Sequence, residues 1–405
     1  MMQILVNKFN KAINCITPKK NNTVYAEPHI NGKVDCFDLI NCNADNCLKT
    51  LNYLLHNYKG KKVCIYIEVY NDKRIPALNE YVKKIGNPDI KVKFVKSCWD
   101  KSDPKTARIK NYIKNSFIRH TCKIWLCDTG WAHFFDKTKK QTAINFCYGT
   151  PFKNGKLKNN KINWQHLDYM CETSMMTGRI HTSEYRPYFE NILAIGYSRN
   201  DTIGGSNKID AVNNWLKSNN CTGKKIIVYV PTFRPEKLDL SKTNIFGFDD
   251  KGELDRILKE SNAVLVTKLH PIQSEYATIL PDNILLYKPS YDFTIYDLFS
   301  VSDALISDYS SISNDFLLSH KPVIYLFSDI DTYDRERGFA FDPIESVCCG
   351  DIAYNWEQLK SSIVKALSGK TEYDKAYWDK FKLWHKYDDF NSSKRSCELL
   401  WGLLK

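Results

Sequence analysis

The sequence has no long apolar run. Stretches such as 226–230 end after a few residues, far short of the ~20 consecutive apolar residues of a membrane-spanning helix. Met1-Met2-Gln3-Ile4-Leu5-Val6 passes directly to Asn7-Lys8, so no secretory leader is expected. The fourteen cysteines include no C-x-x-C pair and no Cys/His cluster at zinc spacing. Reduced, largely buried thiols in a cytosolic protein are the simplest reading. A G-x-x-x-x-G-K-[ST] loop is absent, which argues against a P-loop kinase. G-x-G-x-x-G is absent too, which argues against a classical dinucleotide site. Asp329-Ile330-Asp331 has D-x-D spacing but reads as a surface loop, so no metal ligands are assigned. There is no internal repeat and no low-complexity segment.

What is present is a chain of 405 residues, 43% hydrophobic and 13% aromatic, long enough for two domains with separate cores. Its formal net charge of +12 fits either an anionic partner (nucleic acid, acidic lipid or a polyphosphate) or a lysine-rich solvated surface.

Short β-rich runs alternate with helical patterns. Strands are expected at 62–69, 91–95, 123–127, 144–147, 192–196, 225–230, 263–268, 284–287, 304–307 and 323–327. Helices are expected at 47–58, 106–119, 209–218, 253–260, 295–301, 311–319 and 356–367. This alternation predicts an α/β fold with parallel sheets covered by helices. Two Rossmann-like, doubly wound domains facing a cleft are expected, over 1–190 and 191–372. The aromatic-rich stretch 373–405 reads as helices packing back across both domains, or as a membrane-surface helix. Near the N-terminus, 23–28 and 33–39 flank Asn31-Gly32, the pattern of a type I′ hairpin.

Ligands in doubly wound sheets bind beyond the carboxyl ends of the strands, so the loops that follow strands matter most. The run Ala304-Leu-Ile-Ser-Asp-Tyr-Ser-Ser-Ile-Ser-Asn-Asp315 places Ser310 and Ser311 at a helix entrance. They read either as phosphate ligands or as ordinary helix caps. Asp308 reads as a loop-shaping or hydroxyl-orienting carboxylate. Asp315 reads as reaching a ribose or facing solvent. Thr232 and Arg234, in Pro231-Thr232-Phe233-Arg234, offer a hydroxyl and a guanidinium fork suited to phosphate. His270, in Leu269-His270-Pro271, is a phosphate donor, a proton carrier or a structural imidazole. Arg335 and Arg337 sit in Arg335-Glu336-Arg337-Gly338-Phe339, as phosphate ligands or as surface charge. In the first half, Phe146-Cys147-Tyr148-Gly149-Thr150-Pro151-Phe152-Lys153 turns after a strand. It either presents a side chain to a nucleophile or is a tight turn.

With these residues in view, the chain resembles the CDP-glycerol glycerophosphotransferase family of teichoic acid and capsule primases and polymerases. The resemblance rests on Gly196-Tyr197-Ser198-Arg199-Asn200-Asp201, Pro231-Thr232-Phe233-Arg234, Leu269-His270-Pro271, Ser307-Asp308-Tyr309-Ser310-Ser311 and Arg337-Gly338-Phe339. It implies a glycosyltransferase-B-like fold and a donor site mainly in the C-terminal domain. His270, Ser310, Ser311 and Arg337 would then contact the donor phosphates, with Thr232 and Arg234 nearby; Asp308, Asp315 and Gly338 complete the expected donor-binding set, and Tyr148 and His270 are the expected catalytic residues. The implied reaction moves glycerol phosphate, or ribitol phosphate, from a CDP-linked co-substrate to an anionic polymer or lipid-linked saccharide. No tightly bound cofactor and no nucleic acid partner are expected. The implied location is cytoplasmic, peripheral on the inner face of a bacterial membrane. Gly149, Thr150 and Lys153 would form the acceptor-side loop. Two departures stand out. Tyr148 occupies the position of the family's presumed catalytic histidine, and Ser198 replaces its usual proline. A nucleotide-sugar transferase of the same fold and a non-catalytic homologue remain the alternatives.

Overall fold

The computed structural model describes residues 19–28, 36–98, 100, 102–128, 137–147, 149, 152, 167–185, 189–232, 244–269, 280–369 and 372–404. Met1–Tyr148, Lys161–Asp201 and Asp389–Lys405 make one compact unit; Gly149–Asn160 and Thr202–Asp388 make the other. The first unit contains β1 (Lys20–Glu27), α1 (Asn46–Asn57), β2 (Val63–Val69), α2 (Ile75–Ile85), β3 (Ile90–Lys96), α3 (Lys105–Thr121), β4 (Cys122–Cys127), β5 (Thr142–Asn145), β6 (Tyr169–Glu172), α4 (Met175–Tyr185) and β7 (Ile192–Ala194). The second contains α5 (Ile209–Ser218), β8 (Lys225–Val230), α6 (Glu253–Glu260), β9 (Ala263–Thr267), β10 (Ile284–Leu286), α7 (Ile295–Phe299), β11 (Ala304–Ser307), α8 (Ile312–Phe316), β12 (Val323–Leu326), α9 (Ile330–Arg337), β13 (Asp351–Ala353), α10 (Trp356–Leu367) and α11 (Lys375–Trp384). The final helix, α12 (Ser392–Leu404), belongs to the first unit.

Each unit has one sheet, ordered β3-β2-β1-β4-β5-β6-β7 and β10-β9-β8-β11-β12-β13. All the strand pairs are parallel. Strands covered on both faces need apolar side chains on both. β9 (AVLVT), β11 (ALIS) and β12 (VIYL) are accordingly buried at every position. In both sheets the strand order reverses, between β1 and β4 and between β8 and β11, which creates a topological switch point. In the first unit, Leu48, Leu51, Leu54 and Leu55 of α1 join Cys397, Leu400 and Leu404 of α12 in one core.

Several expectations change. The N-terminal hairpin is replaced by a central strand, since β1 lies parallel between β2 and β4; Asn31 and Gly32 lie outside the described residues. β7 belongs to the first sheet, so the division falls at Asp201 and Thr202 instead of at 190–191. The C-terminal helices separate: α11 stays in the second unit and α12 returns to the first. Their aromatic stripe is partly core, with Trp384 fully buried and its Nε1 donating to the Val347 carbonyl at 2.8 Å. Asp329 and Asp331 sit at the start of α9, not in a loop.

Beneath β1 and β2 lies a buried polar group. Tyr25 donates to Glu68, Asn115 Nδ2 donates to the same carboxylate at 3.3 Å, and Arg119 pairs with Glu27 at 3.3 Å. Burial, followed by the repulsion of Glu27, pushes the Glu68 carboxyl from 4.5 up to about 7. Between those values the folded state holds more protons than the unfolded chain, so this group makes stability fall as pH rises. Glu68→Gln is expected to raise the melting temperature at pH 8 and to leave it unchanged below about pH 4.5. Thermal melts of both proteins across this range check it; an equal effect at both ends would contradict the assignment.

Candidate active site

The second unit's switch point joins the ends of β8 and β11, where Ser307 is in register with Val230. Ser307 Oγ donates to the Val230 carbonyl at 2.7 Å. Asp308, 5% exposed, then turns its carboxylate onto Thr232. The Thr232 N–H lies 2.8 and 3.0 Å from the two carboxylate oxygens, and Thr232 Oγ1 donates at 2.6 Å. Asp308 therefore fixes the β8 loop to the β11 loop, which supports its loop-shaping reading.

Tyr309, next in the chain, points inward and is fully buried. Its hydroxyl donates to Asp329 Oδ1 at 3.0 Å. Its ring stacks on Tyr333 at 4.2 Å and on Phe327 at 5.0 Å, and meets Phe339 at 5.1 Å. This aromatic stack links the Ser310-Ser311 loop to both ends of α9, because Asp329 precedes the helix and Phe339 follows it. Gly338 makes the exit possible. Its φ of 67° lies in the left-handed region, which is costly for a side chain. Its N–H caps the helix on the Asp334 carbonyl at 2.8 Å. Arg337, the last helical residue, is exposed and makes no ion pair among the described residues.

Ser310 and Ser311 are half-buried. The Ser310 carbonyl accepts from Ser313 N at 3.2 Å and Ser313 Oγ at 2.8 Å. Ser311 occupies the N-cap position in a helical conformation without a side-chain cap bond. The capping alternative therefore does not hold for Ser311, and neither hydroxyl is engaged among the described residues. The expected helix at 311–319 is shorter than its pattern suggested: α8 has five residues and passes into a 3-10 turn at Leu317–Ser319. Asp315 faces neither solvent nor the loop surface. It is fully buried, and its carboxylate accepts the Tyr296 hydroxyl from α7.

The first unit prepares the backbone that leads to Tyr148. Asn46 Nδ2 donates to the carbonyls of Phe146 at 3.1 Å and Cys147 at 2.7 Å, while its Oδ1 accepts from Arg199 N at 3.0 Å. The Cys147 N–H donates to Asn145 Oδ1 at 2.7 Å, with Cys147 held at a φ of 54°. Below it, His181 Nδ1 meets Glu172 Oε1 at 2.5 Å, Tyr197 donates to Glu172 Oε2 at 2.9 Å, and Cys147 Sγ lies 3.7 Å from His181 Nδ1. Burial lowers the proton affinity of His181, but the facing Cys147 and Glu172 outweigh it, and the pKa is raised well above the usual value. Cys147, Glu172 and His181 also lie close enough together to suggest metal ligands. The 2.5 Å contact is instead that of a hydrogen-bonded ion pair, since two N/O ligands of a tetrahedral zinc stand ~3.3 Å apart.

A family profile described as CDP-Glycerol:Poly(glycerophosphate) glycerophosphotransferase matches residues 54–402. The chain belongs to that family. Its relatives include a teichoic acid glycerol-phosphate transferase of Staphylococcus aureus, 26% identical over 298 residues, covering 69% of this chain and 76% of the relative. A teichoic acid glycerol-phosphate primase of Bacillus subtilis is 26% identical over 335 residues, 81% of each. The poly(glycerol phosphate) polymerase of the same organism is 25% identical over 328 residues, 73% of this chain but only 43% of the polymerase. The solved wall teichoic acid polymerase TagF superposes with a TM-score of 0.69 at 20% identity, covering 98% of this chain and 94% of that one. The fold is thus the two-domain, glycosyltransferase-B-like α/β architecture.

In this member of the family, the Gly196-to-Asp201 motif is structural. The Gly196 φ is 86°, and a Cβ there would sit 2.2 Å from Ser392 Oγ. Ser198, in place of the family's usual proline, exchanges a hydrogen bond with Thr50 at 2.7 Å and donates to Ser396 at 3.2 Å. Asp201 caps α12 through Ser392 N at 2.9 Å and Ser393 N at 2.7 Å. Gly149 is described and half-buried, whereas Tyr148, Thr150, Lys153, Arg234 and His270 lie outside the described residues. The sequence reading missed Tyr309, Asp329, Asn46 and the Glu172–His181 pair. Tyr309 lies within the Ser-Asp-Tyr-Ser-Ser block, but nothing in the local pattern marks its ring as the buried support of the loop.

The Asp308–Thr232 joint can be measured directly. A double-mutant cycle with Asp308→Asn and Thr232→Ala is expected to give a coupling energy of about 1.5–3 kcal/mol, the range for hydrogen bonds to a charged group. Urea unfolding of the four proteins supplies it, and a coupling within about 0.3 kcal/mol of zero would show that the Thr232 hydroxyl does not contribute to the joint.

Proposed function

We propose that the chain transfers glycerol phosphate from CDP-glycerol to a hydroxyl of a teichoic-acid-type acceptor, releasing CMP. The observation that carries this reading is the Ser310-Ser311 loop at the second switch point. It offers two hydroxyls that are unengaged among the described residues, and is tied through Tyr309 to the helix that ends in Arg337, which makes no ion pair among them. Such donors suit the non-bridging oxygens of a diphosphate. Family membership supplies the substrate class.

In this reading the acceptor oxygen attacks the glycerol-linked phosphorus. A new P–O bond forms as the bond to CMP breaks, and the product is a phosphodiester. Negative charge grows on the bridging and non-bridging oxygens. Ser310, Ser311, Arg337 and His270 stabilise it, helped by Thr232 and Arg234; preorganised donors act without reorganisation during the reaction. Asp308 is a positioning residue that keeps Thr232 and the serine loop in one arrangement. Tyr148 holds the attacking hydroxyl rather than deprotonating it, because a phenol with a pKa near ~10 is a poor base at neutral pH and a loose transition state needs little help from a base until late. The acceptor is an anionic polymer or lipid-linked saccharide, met by an enzyme peripheral to the inner face of the membrane.

The deciding experiment incubates the protein with CDP-glycerol, CDP-ribitol and several nucleotide sugars, with and without acceptor. CMP release from CDP-glycerol is expected; release from CDP-ribitol alone, or UDP release from a nucleotide sugar, would replace this reading. Ser310→Ala, Ser311→Ala, Arg337→Ala and His270→Ala are each expected to lower kcat/KM by ~10²–10³. The two serine variants and Arg337→Ala should melt like the wild type, because those side chains are unengaged among the described residues. Tyr148→Phe is expected to lose at most about tenfold in rate, equivalent to ~1.4 kcal/mol, with an unchanged pH profile. Complete loss at unchanged donor affinity would instead make the phenol a direct participant in the chemistry.

A further inference from the structure

The first sheet has its own switch point, and a carboxylate stands there with half of its bonding unused. The strand order reverses between β1 and β4, so a ligand is expected beyond the carboxyl end of β4. Asp128 is the first residue after that strand and is 2% exposed. The Cys47 N–H, in the first turn of α1, donates to its Oδ2 at 3.0 Å. Its Oδ1 is buried and accepts no hydrogen bond among the described residues. A buried polar atom left without a partner costs ~1–3 kcal/mol, more for a charged group. Such atoms are few in native proteins, and a catalytic role is one of the reasons they persist.

Asp128 is held against the backbone that leads to Tyr148. Cys127 is in register with Asn145 of β5, and the Phe146 N–H donates to the Cys127 carbonyl at 2.8 Å. Asp128 and Phe146 therefore leave neighbouring strands, which lie ~4.8 Å apart. The start of α1 grips both exits. Asn46 Nδ2 bonds the Phe146 and Cys147 carbonyls, and the next residue, Cys47, bonds Asp128. Cys147 is kept at a φ of 54°, a conformation that costs a residue with a side chain ~1–3 kcal/mol and is concentrated at functional sites. The carboxylate and the strained turn are thus fixed to one another by a single helix end.

Of the titratable groups around Asp128, the Cys47, Cys127 and Cys171 thiols are kept neutral by burial. Asp45 and Arg199 are the charged neighbours. Burial, and then the Asp45 carboxylate, push the Asp128 carboxyl well above the ordinary carboxylate range, against the smaller effects of the Cys47 N–H and Arg199. That direction suits a group that takes up a proton near neutral pH. We propose that Asp128 is the proton acceptor of the transfer, the catalytic base that a phenol at position 148 is too weak to be. The acceptor oxygen bonds to the glycerol-linked phosphorus, the bond to CMP breaks with its electron pair, and the hydroxyl proton passes to Asp128 Oδ1. This deepens the glycerol phosphate transfer proposed above and rests on that reading, including its placement of the acceptor at the Tyr148 loop.

The full-length protein is assayed for CMP release from CDP-glycerol with a soluble acceptor, from acid to alkaline pH. Wild-type kcat is expected to rise with pH through an inflection above the ordinary carboxylate range, because the base must be deprotonated to act. Asp128→Asn can still accept from the Cys47 N–H. It should lower kcat by ~10²–10⁴, abolish the inflection, and leave the KM for CDP-glycerol and the melting temperature unchanged. Asp45→Asn keeps a helix-capping side chain but removes a neighbouring negative charge, so the inflection should move to lower pH. Formate should restore part of the kcat of Asp128→Ala. Wild-type kcat and an unaltered pH profile in Asp128→Asn would overturn the assignment. Loss of activity with a raised donor KM, a lowered melting temperature and no response to formate would also overturn it, and would make Asp128 a structural residue. A wild type that releases no CMP would remove the transfer reading itself, and this assignment with it.

Discussion

The candidate donor loop depends on one carboxylate. Asp308 lies at the point where the second sheet changes direction, and it takes both the backbone N–H and the hydroxyl of Thr232. Adjacent parallel strands present their carboxyl ends side by side but do not by themselves join the loops that leave them. The Asp308–Thr232 contacts do so. They leave the following serines on the surface while Tyr309 turns inward. A buried anion would be costly here without such donors. The same group thus resolves its own desolvation and determines where two hydroxyls point.

Beneath that loop the stabilisation is aromatic. Tyr309, Phe327, Tyr333 and Phe339 come from two loops, a strand end and a helix, and their rings lie in contact. Stacked and tilted rings add about 0.5–1.5 kcal/mol per pair beyond burial. The first unit uses a different device below its own loop: a charged Glu172–His181 pair with Tyr197. The serine loop is a half-buried segment on a buried support, the arrangement by which scaffolds hold reactive groups.

The sequence was most legible where burial is uniform. β8, β11, α5, α6 and α10 have the boundaries read from the pattern, because apolar runs and helical stripes there agree with the environment. It was least legible where polarity disguised an element. β1 begins Lys-Asn-Asn, and α9 reads IDTYDRER with a single buried residue, Tyr333. Gly178 and two threonines weaken the pattern of α4, yet the glycine is needed there, since a Cβ would approach Ile192 Cγ2 to 2.5 Å. At the candidate site, residues that carry chemistry in many proteins (Asp308, Ser310, Ser311 and Arg337) were found from the loops that follow strands. Tyr309 and Asp329 were not, because their work is done across a long sequence separation, and no local pattern records it.

The return of α12 to the first unit has a consequence for how the chain is made. Cys397, Leu400 and Leu404 complete a core whose other members begin at Val24, and Asp201 caps this helix from the far side of the second unit in sequence. During synthesis the second unit has all its strands before the first has its last helix. The amino-terminal half must therefore wait on the ribosome with an open hydrophobic face, while the half made later is free to close first. Removal of α12 would damage the part of the protein translated earliest.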